Sequence, residues 1–95
     1  MNNYEGLFIV SPALAKEDLE KALSYIREQI TKHKGTIEKA EDLGKRKLSY
    51  RIGKQREGQY YLLNFKVEPQ LVKEIERAYK LNEAILKVLI TRKEK

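Results

Sequence analysis

Six basic side chains stand between Gly44 and Arg56 with no acid among them: Lys45, Arg46, Lys47, Arg51, Lys54 and Arg56. The chain holds 20 Lys and Arg against 14 Asp and Glu, a net charge of +6. The whole excess therefore fits inside this one 13-residue window, and the remainder is formally neutral. A solvated surface usually mixes its signs. A window of one sign suits a polyanion or an acidic partner. Lys and Arg neutralise phosphates and release condensed counterions, which gives affinity without sequence information. Tyr50 lies within the window, and Tyr60 and Tyr61 follow it. Tyrosine rings stack on unpaired bases for about 1–3 kcal/mol each. They also pack within sheets: Tyr61 is assigned to packing, while Tyr60 fits either role.

Other chemistry finds few residues to work with. There is no cysteine, which removes thiolate catalysis, disulfides and cysteine-held zinc or iron–sulfur sites. The one histidine, His33, sits between Lys32 and Lys34 near a helix end, a surface position rather than a ligand set. Ser11, Ser24 and Ser49 have no histidine at motif spacing and no nucleophile elbow around them. Gly53 and Gly58 enclose four residues, but Gln59 and Tyr60 stand where a phosphate loop needs lysine and a hydroxyl. Glu41 and Asp42 are adjacent on an extended segment, so they point to opposite faces and make a poor cation site. No metal or cofactor is expected, and no enzyme activity.

The elements that must position these residues follow from periodicity. Tyr4 to Val10 reads as a buried strand, stopped by Ser11-Pro12. Leu19, Ala22, Leu23, Ile26 and Ile30 make one helical stripe between Lys16 and Lys34, with Gly35 as its C-terminal stop. Thr36 to Ile52 is a long alternating strand. Its apolar parity switches from Ile37 and Leu43 to Leu48, Tyr50 and Ile52, so a bulge at Gly44 is expected to bring both sets to the core. Gly53 to Gly58 is a polar turn. Gln59 to Val67 is the third strand, with Tyr61, Leu63, Phe65 and Val67 on its core face. Glu68-Pro69 opens a second helix with the stripe Leu71, Val72, Ile75, Ala78 and Tyr79. Ile85 to Thr91 is the last strand, and Arg92 to Lys95 a frayed tail.

The order strand–helix–strand–strand–helix–strand is the ferredoxin-like split βαβ pattern, an α+β fold with a four-stranded antiparallel sheet and two helices on one face. Residues 1–95 are expected to form a single domain. No apolar run approaches the ~20 residues of a membrane span. The start Met1-Asn2-Asn3-Tyr4-Glu5 has no signal-peptide pattern, so a cytoplasmic protein is expected. RNA-recognition motifs share this topology. Their third strand needs aromatic rings where Glu57-Gly58-Gln59-Tyr60-Tyr61-Leu62-Leu63-Asn64 has Gln59 and Asn64, so this is not a typical sheet-face RNA reader.

Gly44-Lys45-Arg46-Lys47-Leu48-Ser49-Tyr50-Arg51-Ile52 resembles the signature of ribosomal protein S6, the sixth protein of the bacterial small subunit. Tyr4-Glu5, Ser11-Pro12, Gly58 before an aromatic strand, and Ile85 to Ile90 extend the resemblance along the chain. It implies a structural component that binds small-subunit ribosomal RNA together with ribosomal protein S18, and no reaction. Related chains often carry arginines after the first methionine; this one has Asn2 and Asn3.

The RNA-binding candidates are then Lys45, Arg46, Lys47, Arg51, Lys54 and Arg56, joined by Lys87 of the last strand and Arg92 of the tail. The partner candidates are Leu7, Ile9, Tyr50, Tyr60 and Leu62. The first strand is apolar on both parities, so one apolar pair must face outward on the sheet's open side, where Tyr60 and Leu62 also stand. Ordinary cross-strand packing is the competing use of these residues. Two other functions fit the fold. A ligand-sensing regulatory domain that dimerises through its sheet leaves the one-sign window without a purpose. An acylphosphatase-type enzyme needs an arginine and an asparagine around its first loop, which here is Ser11-Pro12-Ala13-Leu14.

Overall fold

The computed structural model describes residues 1–52 and 55–93, with side-chain surroundings for 1–48 and 56–93. Its elements are β1 (Asn2–Val10), α1 (Lys16–Lys32), β2 (Thr36–Ile52), β3 (Gln55–Val67), α2 (Val72–Lys80) and β4 (Ile85–Arg92). A 3₁₀ turn, Pro69–Leu71, leads into α2, with proline at the position where its missing N–H costs no bond. The strands are ordered β2-β3-β1-β4 and every neighbouring pair is antiparallel. This is the ferredoxin-like fold. Each strand–helix–strand half leaves room for one strand of the other half between its own two.

Side-chain alternation decides the faces. Tyr4, Phe8 and Val10 of β1 and Tyr61, Leu63, Phe65 and Val67 of β3 are buried under the helices. They meet Ala22, Ile26 and Ile30 of α1 and Ile75 and Tyr79 of α2. Phe8 packs edge-on against Tyr79 with centroids 4.8 Å apart. Fully burying an apolar side chain of this size contributes about 1.5–3 kcal/mol. The helices are tied reciprocally: the Tyr25 hydroxyl donates to the Ala78 carbonyl (2.8 Å), and the Tyr79 hydroxyl donates to the Ile26 carbonyl (2.7 Å). Burial, with Tyr25 and Tyr61 close by, pushes the Tyr79 phenol far above its ordinary range.

The fold departs from expectation in four places. β3 begins at Gln55, and Ile52 pairs with Gln55, so strand pairing continues into the stretch expected to be a six-residue turn. Gly53 and Lys54 lie outside the described residues. The stop of α1 is a Schellman motif whose left-handed residue is Lys34 (φ 64°), not Gly35. Lys34 N–H donates to Thr31 and Gly35 N–H to Ile30. Gly35 is needed for space instead, since a Cβ there meets Ile30 and the Lys66 carbonyl at 2.8 Å. The expected bulge at Gly44 is present, with φ 81°, but further register shifts lie between Ile37 and Lys39 and between Lys47 and Ile52. As far as Lys47, two shifts restore the alternation that one inverts. Ile37 therefore reaches the core while Leu43 and Leu48 do not. Finally, Arg92 belongs to β4 rather than to a frayed tail, and Lys93 N–H donates to the Asn3 carbonyl.

Candidate nucleic-acid and partner interface

The face of the sheet away from the helices is built in rows. Register places Gly44, Tyr60, Ile9 and Lys87 side by side across β2, β3, β1 and β4. The next row is Glu41, Leu62, Leu7 and Leu89, and the one after it is Lys39, Asn64, Glu5 and Thr91. The first two rows hold Ile9, Tyr60, Leu62, Leu7 and Leu89 as contiguous neighbours. Leu48 joins them: a Cβ on Gly58 meets Ile9 Cγ2 at 2.3 Å and Leu48 Cδ2 at 3.5 Å. Gly58 is thus the gap that lets Ile9 and Leu48 approach. Ile9 is 7% exposed and Leu89 is 53% exposed. The patch is therefore sealed at its middle and open toward the β4 edge.

Charge borders this patch. The Arg46 guanidinium stands 6.0 Å from the Tyr60 ring centre, a cation–π distance. Lys87 lies at the other end of the same row. The third row is polar and its two charges are paired: Lys39 with Glu41 of the neighbouring row (3.2 Å), and Glu5 with Lys93 beyond β4 (3.8 Å). An apolar centre with one polar, neutral side and one basic side is the anatomy of a protein docking patch beside a polyanion surface.

The hairpin of β2 and β3 carries the basic window, but not as one surface. Lys45 pairs with Gln59 and Lys47 with Glu57, whose odd-numbered β3 partners lie on the helix-bearing side. Arg46 pairs with Gly58 and lies on the open side, as its approach to Tyr60 shows. Arg56 shares the open-side parity of Gly58 and Tyr60 and is exposed. The bulge that sets this phase is held by Asp42, whose carboxylate accepts from Gly44 N–H (2.9 Å) and the Gln59 amide. Glu41 and Asp42 are thus committed to separate partners on opposite faces. Among the described residues, no group of three His, Asp or Glu side chains is placed to hold a metal.

Of the expected RNA contacts, Lys45, Arg46, Lys47 and Arg56 are brought together on the hairpin, and Lys87 sits at the same end of the sheet on β4. Arg92 stands apart: it pairs with Tyr4, on the helix-bearing side and at the far end. Lys54, and the side chains of Arg51 and Tyr50, lie outside the described residues. Of the expected partner residues, Leu7, Ile9, Tyr60 and Leu62 form one contiguous group. Leu48 and Leu89 belong to the same patch and are absent from the sequence-derived set. Leu89 was legible in principle, since Ile85-Leu86-Lys87-Val88-Leu89-Ile90 leaves an apolar residue on each parity.

The chain is similar to known proteins along nearly its whole length. The family model described as Ribosomal protein S6 matches residues 3–92. The small ribosomal subunit protein bS6 of Helicobacter pylori strain P12 is 42% identical over 94 residues. That of Clostridium novyi strain NT is 38% identical, with all of both chains covered. The chain spans 63–66% of the length of the first two Helicobacter relatives. The crystal structure of 30S ribosomal protein S6 from Thermotoga maritima superposes with a TM-score of 0.91 at 31% identity, over 97% of this chain and 87% of that one. The C-terminal domain of MgtC from Mycobacterium tuberculosis, at 10% identity and a TM-score of 0.66, shares the fold alone.

Proposed function

Because this chain belongs to the ribosomal protein S6 family, we propose that it is a structural component of the bacterial small ribosomal subunit that binds small-subunit ribosomal RNA together with S18. The family is one of non-enzymatic ribosomal components, and its place is the cytoplasmic ribosome. The observation that carries the reading is the apolar patch of Leu7, Ile9, Tyr60, Leu62 and Leu89 lying directly beside the basic hairpin.

The two surfaces have different tasks. The hairpin cations supply phosphate contacts, which orient the protein on RNA but read no bases. The apolar patch supplies the docking surface for S18, where desolvation of Leu62 and Tyr60 gives stable association. Arg46 sits on the seam between them. With S18 in place its charge is next to both partners.

Gel filtration of the chain with S18, with and without small-subunit ribosomal RNA, tests this. The expected result is a one-to-one complex that co-elutes with the RNA. A homodimer indifferent to both S18 and RNA contradicts it and favours the ligand-sensing alternative.

A further inference from the structure

Arg27, on the flank of α1, is a half-buried cation with no anion beside it among the described residues. Its guanidinium donates to the Tyr61 hydroxyl (2.9 Å) and to the Ser24 hydroxyl (3.2 Å), both neutral. Among the described residues, no carboxylate lies within 4.0 Å of it. A guanidinium has five N–H donors, so most of them stay available. Arginine that serves only as structure is normally matched to a carboxylate, because a partly desolvated charge without a partner is unfavourable. Here two hydroxyls fix the plane of the group and leave its charge unanswered. That is preorganisation for an incoming anion.

The neighbouring positions point the same way. Tyr61 and Gln59 are successive residues on the helix-bearing side of β3, and Lys45 is the cross-strand partner of Gln59. Lys47 follows on the same side, opposite Glu57. The acids of this flank are engaged or remote. Asp42 is held by Gln59 and Gly44, Glu57 stands across from Lys47 in the strand register, and Glu20 and Glu28, one turn either side of Ser24, both stay more than 4.0 Å from the guanidinium.

We infer that Arg27, with Lys45 and Lys47, forms a second phosphate-binding strip on the helix-bearing side of the hairpin, separate from the Arg46 side that borders the apolar patch. The inference rests on the RNA-binding reading above and assigns part of that binding to α1. An RNA backbone passing the hairpin then contacts both of its sides, rather than the open face alone.

The test measures binding of the chain with S18 to small-subunit ribosomal RNA as a function of salt. Arg27→Gln keeps amide donors for the two hydroxyls and removes the charge. It should lower the log–log salt slope by one phosphate's worth, about 0.7–0.9. Ser24→Glu places a carboxylate next to the guanidinium without touching the core, and should lower the slope likewise. Arg27→Lys should restore most of it. Wild-type slopes in folded Arg27→Gln and Ser24→Glu overturn the inference. So does a loss of S18 affinity at unchanged slope, which makes the flank a protein-binding surface. If Arg27→Gln fails to fold, Ser24→Glu alone decides. Absence of RNA binding by the wild-type complex overturns the underlying reading and this inference with it.

Discussion

Leu62→Glu separates docking from folding at the centre of the patch. Leu62 is half-buried, flanked by Leu7 on β1 and by Glu41 on β2. It makes no contribution to the core under the helices, whose β3 members are Tyr61, Leu63, Phe65 and Val67. The stability change has two parts. Apolar packing against Leu7 is weakened, and the new carboxylate meets Glu41 directly across the strands, which costs roughly 0.2–1 kcal/mol. The sum should stay near ~1 kcal/mol, as for other partly exposed sites. Association with S18 should suffer more. A charge at the centre of a desolvated apolar interface typically costs about 2 kcal/mol or more, roughly a 30-fold rise in Kd. Urea melts followed by circular dichroism give the first number, and titration calorimetry with S18 the second. A folded variant with unchanged affinity refutes the assignment of this face to S18. A variant that is unfolded in water shows that Leu62 carries core packing and that the face is not free to dock.

Changing Lys45, Arg46, Lys47 and Arg51 together to neutral residues should flatten the salt dependence of RNA binding by about 0.7–0.9 in log–log slope for each phosphate no longer neutralised; an unchanged slope in a folded variant removes the hairpin from the RNA surface. Tyr79 stays protonated in the folded chain far above the ordinary phenol pKa of 10.0. The unfolded chain alone releases that proton, so stability should hold below pH 10 and fall above it, by up to about 1.4 kcal/mol per pH unit for this one group. Tyr79→Phe should remove one proton's worth of that slope in denaturant melts, at a cost of about 1 kcal/mol at neutral pH from the missing bond to Ile26. Gly58→Ala forces a methyl against Ile9 Cγ2 and should destabilise by about 1–3 kcal/mol in the same melts.

Much of the fold was legible because local and global signals agree. The stripe of α1, the alternation of β3 and the proline before α2 each specify one element, and the element order then leaves one common topology. The core face of β3 was readable for the same reason, since Tyr61, Leu63, Phe65 and Val67 leave the polar Asn64 and Lys66 to the other side. The strand phase of β2 was not. One bulge is announced by Gly44, but the shift between Ile37 and Lys39 has no glycine or proline to mark it, and each shift inverts every side chain beyond it. That is why Leu48 turns to the open face; the basic window divides between two sides for a simpler reason, since Lys45, Arg46 and Lys47 are consecutive on one strand. Lys34 hid for a related reason: a left-handed residue next to a glycine is naturally read as the glycine. Arg27 carried no sequence signal at all. Its hydroxyl partner Tyr61 is 34 residues away, and only the packing of α1 on β3 brings them together.

On the proposed function, this chain is expected to position RNA without reading it unaided. The direct measurement is the affinity of the isolated chain, and of the chain with S18, for small-subunit ribosomal RNA and for a scrambled duplex at the same salt concentration. Weak, nearly equal binding by the isolated chain is expected, with affinity and discrimination both rising when S18 is added. Strong preference for the ribosomal RNA by the isolated chain, or no change on adding S18, contradicts the account.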